Sequence, residues 1–181
     1  MGTFTIITEP KAEPVTIAEA KGKLSILHDD EDDRISGLIK SAREFTENYC
    51  GIYIMPTVID LNLDRWPSTQ FGLATWPLQS IDSVKYYDTS SPSVQLTLVV
   101  DVDYYADIIT EGGRVRSIGG WPSLASRPNP ITIRMTAGYS NASAVPQRIK
   151  DGIMTQLVSL YDLDPDLDKA SKSILWPNRI L

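Results

Sequence analysis

His28 and Cys50 are the single histidine and single cysteine of this 181-residue sequence. Side by side they would make the base–nucleophile pair of a cysteine hydrolase. Their spacing forbids that within one chain. The stretch between them reads as one helix, and about 20 helical residues at 1.5 Å each hold the two groups roughly 30 Å apart. A Ser–His–acid triad would have to draw on His28 in a turn, and the G-x-S-x-G elbow that presents a nucleophilic serine is absent. Zinc is bound by Cys and His clusters that this chain does not have. The acidic run Asp29, Asp30, Glu31, Asp32, Asp33 resembles half a calcium loop, but that loop needs glycine at its sixth position and a carboxylate at its twelfth. Counted from Asp29, those positions are Arg34 and Lys40. A second run, Asp162, Asp164, Asp166 and Asp168, is interrupted by Pro165 and reads as a solvated linker. Gly112-Gly113 and Gly119-Gly120 bracket Arg114 and Arg116 without the phosphate-binding or dinucleotide patterns, and read as hairpin turns. Asp60, Asp64 and Asp88 are available as acids, but nothing in the sequence pairs any two of them across a cleft. The residues therefore predict no catalytic, cofactor or metal site, and a protein that is not an enzyme.

Composition narrows the remaining classes. Hydrophobic residues make up 42% of the chain, enough for an ordinary core. A single cysteine gives no intrachain disulfide and fits a reducing compartment. Seventeen basic against 23 acidic residues leave a net charge of −6. Such a chain is ill-suited to non-specific DNA binding, which comes from basic groups neutralising phosphates. No apolar run is long enough to cross a membrane, and MGTFTIITEP does not read as a signal peptide.

The elements that would position these residues alternate in texture. Thr3–Thr8 is a short strand or extended arm. Thr16 and Glu19 form a capping box that opens a helix carrying Ile17, Ala20, Lys21 and Leu24. Asp29 to Gly51 is the spine. Ile35, Leu38, Ile39, Ala42, Phe45, Thr46 and Tyr49 make one stripe, acids sit at the positive helix end, and Gly51 suits the left-handed stop. From Tyr53 to Tyr139 the period changes to two, with Ile59, Leu61 and Leu63 as the clearest half-buried strand. Roughly six short strands suggest a small antiparallel sheet or barrel. Helical spacing returns after Pro146 with Ile149, Ile153, Leu157 and Leu160. All four tryptophans precede proline (Trp66, Trp76, Trp121, Trp176), which predicts each at a strand end or turn. The expected fold is α+β: a small helical core of about three helices, a β-rich antiparallel insertion between the second and third, and an extended C-terminal tail. The boundaries are 1–53 and 141–162 for the helical core, 54–140 for the insertion and 163–181 for the tail. The spine stripe is expected to pack on helices 16–26 and 146–161. Arg43 and Glu47, four apart, either pair with each other or face a neighbouring subunit.

Several ordered words resemble the head–tail connector (adaptor) proteins of long-tailed phages and prophages. Pro14-Val15-Thr16-Ile17-Ala18-Glu19-Ala20-Lys21 is followed by Asp32-Asp33 and by Leu38-Ile39-x-x-Ala42-Arg43-x-x-x-Glu47-x-Tyr49. This is similar to that family's opening. Trp76-Pro77-Leu78, Ile81, Ser83-Val84 and Tyr86 resemble its next stretch, with Leu78 and Ile81 departing from the common spacing. Thr136-Ala137-Gly138-Tyr139 before Val145-Pro146 resembles the signature ahead of its last helix. Ile174-Leu175-Trp176-Pro177-Asn178-Arg179 resembles its closing segment, with Asn178 in place of an aromatic.

The resemblance implies a structural virion protein of the neck, made in the bacterial host cytoplasm. It implies a homo-oligomeric ring, commonly a dodecamer, that lies below the portal protein and extends the DNA channel. The ring would dock the next neck or tail-completion protein, and DNA would pass without specific binding. The tail residues Ile174, Leu175, Trp176, Pro177 and Arg179 are expected to reach the portal, and Arg43 and Glu47 are the candidates for a subunit interface. No cofactor, metal or membrane is implied. The alternative is a monomeric ligand- or glycan-binding module that uses Tyr86, Tyr104 or Tyr105 of the β-rich block. An enzyme with a carboxylate site is the third reading.

Overall fold

A computed structural model describes residues 2–180. The strands are β1 (Thr3–Thr8), β2 (Thr57–Leu63), β3 (Gln70–Gly72), β4 (Leu78–Tyr87), β5 (Gln95–Leu98), β6 (Tyr104–Asp107), β7 (Arg114–Ser117) and β8 (Ile131–Ala137). The helices are α1 (Ile17–Leu24), α2 (Asp32–Cys50), α3 (Gln147–Asp162) and α4 (Pro165–Leu175). This is the expected α+β class. The chain divides into two compact units. One holds the N-terminal residues through Glu9 with Pro56–Gly138, and the other holds Pro10–Met55 with the segment from Tyr139 onward.

The first unit contains two antiparallel sheets, ordered β1-β2-β8-β4-β5 and β3-β7-β6. Between Tyr53 and Tyr139 seven strands take the place of the roughly six read from the sequence, and neither sheet closes into a barrel. The additional strand, β3, holds only three residues, too few to show a period. The N-terminal segment is a strand rather than a free arm, paired from Thr3 opposite Asn62 to Thr8 opposite Val58. In the large sheet, Ile59 faces Met135, Leu61 faces Ile133 and Leu63 faces Ile131. All six side chains are buried, and such cross-strand apolar pairs are what stabilise a sheet face. The intervening residues carry polar partners. Arg134 donates from Nε and Nη2 to the two oxygens of Asp60, both at 2.8 Å, and Thr132 donates to Asn62 at 3.1 Å.

Trp66 and Trp121 are the turn-placed pins that their prolines predict. Their rings stack at 4.4 Å, and each indole N–H reaches a loop carbonyl, Trp66 to Pro122 at 3.0 Å and Trp121 to Ser68 at 2.7 Å. The glycine pairs are turns: Gly112, Gly113, Gly119 and Gly120 all have positive φ.

The second unit is a four-helix cluster. The capping box of α1 is complete, with Thr16 accepting from the Glu19 N–H and Glu19 accepting from the Thr16 N–H. The spine helix runs Asp32–Cys50, starting three residues later than the expected Asp29, and is capped by Gly51, φ 71°. It buries Ile35, Ile39, Ala42, Thr46 and Cys50, and it packs on α1 and α3 as the stripe requires. The acidic run does not cap α2 through a side chain. Glu31 holds the cap position, but its carboxylate takes Arg34 and the Tyr161 hydroxyl, while Asp29 and Asp32 take the Lys21 ammonium. Pro146 is the N-cap of α3 rather than its first helical residue.

The segment expected to be an extended tail is mostly helical. Asp164 caps α4 by accepting the Asp166 N–H, Pro165 sits in the first turn, and Asp166 and Asp168 face the positive end. The acids read as a linker are thus a helix start. Proline at that position is compatible with a helix because its missing N–H has no intrahelical partner to lose. Leu175 is fully buried, and the room comes from Gly152 on α3, where a β-carbon would lie 2.6 Å from Leu175 Cγ. Trp176 also departs from its expected geometry. It is helical, φ −45° and ψ −45°, although Pro177 follows. The short 3-10 turn Trp176–Asn178 continues α4.

Candidate interaction surfaces

The groups with reactive chemistry stay apart. His28 is exposed near Asp30 and Glu31, at 3.8 and 3.9 Å. Cys50 is buried at the other end of α2, and burial pushes its thiol up to about 11. Among the described residues no group of three or more His, Cys, Asp or Glu side chains is placed to hold a metal. No helix there is long and apolar enough to cross a membrane.

Arg43 and Glu47 pair with each other. Arg43 is 4% exposed although it is charged. Its Nη1 donates to Glu47 at 2.7 Å, and its Nε and Nη2 donate to Glu13 at 2.7 and 3.3 Å. The second oxygen of Glu47 accepts the Ile54 N–H at 2.8 Å. Burial raises the Glu47 carboxyl above its ordinary value, although the Ile54 N–H and Arg43 both favour the anion. Of the two roles open to these residues, the structure shows the intramolecular one. Glu13 was not legible as a partner, because it lies 30 residues away in an irregular segment.

The five expected docking residues divide. Leu175 belongs to the chain's own core, and Ile174 is half-buried. Trp176, Pro177 and Arg179 are exposed to different degrees, Trp176 at 58%. The segment is set against the end of α2: the Ile180 N–H donates to the Cys50 carbonyl at 2.8 Å, and the Arg179 guanidinium lies 5.4 Å from the Tyr49 ring and 5.5 Å from that of Trp176. An indole and a guanidinium are thus presented together on a fixed base. These two side-chain types are among the most enriched at the centres of protein interfaces.

The tyrosines of the alternative reading make no such platform. Tyr104 is buried, Tyr86 is half-buried beside Trp66 at 6.5 Å, and only Tyr105 is exposed.

Residues 14–96 match the family model described as phage gp6-like head-tail connector protein. The connector resemblance holds. The likeness in fold also extends over the rest of the chain. A chain from the virion of a native gene transfer agent particle superposes with a TM-score of 0.82 at 16% identity, over 99% of this chain and 96% of that one. Chains from the neck of an empty particle, computed with C6 symmetry, and of a native particle, computed with C12 symmetry, give 0.81 and 0.78 with the same identity and coverage. No characterised protein matches by sequence alone. The sequence match to the connector family model lies in residues 14–96, and the likeness to the neck-particle chains is one of fold.

Proposed function

We propose that this chain is a structural connector subunit of a phage-type neck. It forms a ring, commonly twelve subunits, below the portal protein, extends the DNA channel and docks the next neck or tail-completion protein. The observation that carries the reading is the match of nearly the whole fold to chains of solved neck particles, joined to the family match over residues 14–96. The net charge of −6 suits a conduit, since each phosphate contact would raise affinity for DNA and slow its passage. The portal-facing element is the C-terminal segment, narrowed to Trp176, Pro177 and Arg179, with Ile174 and Leu175 as its anchor. Placement in the virion neck after synthesis in the host cytoplasm follows from the same reading.

The test is co-sedimentation of the full chain with its cognate portal. Trp176→Ala with Arg179→Ala is expected to weaken binding by at least about 2 kcal/mol, the scale of an interface hot spot, with unchanged thermal stability. Full binding by that variant refutes the assignment of the docking segment.

A further inference from the structure

The longest stretch of uncovered apolar surface among the described residues lies between Val94 and Ile109. Val99, Val102, Tyr105 and Ile109 are exposed there, Val102 at 65% and Ile109 at 87%. The stretch is nevertheless held in shape. Asp103 accepts the Val99 N–H at 2.7 Å, its carbonyl accepts the Ile118 N–H at 2.8 Å, and Asp107 accepts the Ile109 and Thr110 N–H groups and Arg114. An ordered arm that leaves its valines and isoleucines in water is the mark of an interaction surface. A second apolar patch lies on the edge of the five-stranded sheet opposite β5, the strand from which the arm departs toward β6 of the smaller sheet. Strand β1 is the edge, and Phe4, Ile6 and Ile7 are exposed on it. Neither β1 (TFTIIT) nor the other edge strand, β5 (QLTL), carries the charges or prolines that usually protect a sheet edge.

Two unlike apolar patches, one on the β1 edge and one on the arm that leaves the opposite edge strand β5, fit a heterologous contact, in which each subunit presents one patch to each neighbour. An isologous β1–β1 dimer would leave the arm bare. Direct continuation of the sheet from β5 to the next β1 is excluded by twist. Five strands at roughly 20–25° each accumulate about 100° per subunit, whereas a twelvefold ring, as in the solved native neck, turns by about 30°. Continued strand pairing would build an open filament.

Resting on the ring reading above, we infer that the Val94–Ile109 arm of one subunit packs by its side chains across the β1 edge of a second copy of this chain, without extending the sheet.

The experiment mixes two full-length single variants, Ile6→Cys and Val102→Cys, and oxidises them with copper–phenanthroline. Both positions are exposed, so the folds are retained, and the native Cys50 is buried. Disulfide-linked dimer is expected to form at least about tenfold faster in the mixture than in either variant alone, because the contact raises the effective thiol concentration. The chain carrying both substitutions should give a ladder. No enrichment in the mixture overturns the inference, and so does dimer from Ile6→Cys alone, which would reveal an isologous edge. If that same assay fails while the portal still binds, the arm contact is wrong and the neck reading stands. Linkage without portal binding upholds the arm contact and counts against the portal-docking part of the neck reading.

Discussion

Arg43 offers the sharpest test of how the helical unit is held together. Replacing it with alanine removes three charge-assisted hydrogen bonds. The two carboxylates left behind are not equivalent. Glu13, with 28% of its side chain exposed, can turn to water, whereas Glu47, with 14%, keeps only the Ile54 N–H. Breaking a buried pair by removing one partner costs about 3–5 kcal/mol, and the escape of Glu13 places Arg43→Ala near the lower end, about 3 kcal/mol. The pH dependence follows from the raised carboxyl of Glu47. A group whose folded-state pKa lies above its unfolded value takes up protons on folding. Its contribution is fully present below the unfolded pKa, ordinarily 4.5, and is lost as pH rises through the folded one. Removing Arg43 raises the folded value further, so the loss extends toward neutral pH. Urea unfolding of Arg43→Ala against the parent chain should therefore show a deficit that is larger at pH 7 than at pH 4.5. Adding Glu47→Gln should recover part of the deficit at pH 7. A deficit under about 1 kcal/mol, or one equal at both pH values, would refute the account of the buried triad.

Two further outcomes follow from the packing. Gly152→Ala, which in an exposed helix would stabilise by about 1 kcal/mol, should instead destabilise by about 1–3 kcal/mol, because the new methyl meets Leu175; a melting curve shifted upward would mean that α4 is not seated there. Thr16→Ala should cost about 1 kcal/mol by removing the cap. Hydrogen bonds from Thr16 lower the Glu19 carboxyl. That contribution is present above the ordinary carboxylate value and is lost as pH falls through the depressed one, so the cost of Thr16→Ala measured by denaturation should shrink in acid.

The exposed Trp176 and the buried Leu175 show how adjacent residues of one sequence word acquire opposite duties. As a word, Ile174 to Pro177 reads uniformly as an apolar tail. Only α3 separates them, by placing Gly152 where Leu175 descends. The helix Pro165–Leu175 was hidden for a related reason. Its alternating acids and internal proline suggest a linker, and its stability comes from burying Ser171 and Leu175, with Ser171 donating to the Gly152 carbonyl at 3.0 Å.

By itself the sequence determined what is local: the capping box of α1, the existence of the spine helix with its glycine stop, the alternation of β2, and the distance that keeps His28 from Cys50. These follow from spacing, because side-chain period and terminal hydrogen bonds are properties of a few neighbouring residues. Tertiary structure alone decided what depends on residues far apart in the chain. It brought Glu13 to Arg43, set Thr3–Thr8 against β2, and left the Val94–Ile109 arm uncovered. A valine in that arm is locally indistinguishable from a valine in the core. Which of them remains in water is fixed only by which strands find neighbours, and β1 and β5 are where the sheet runs out of them.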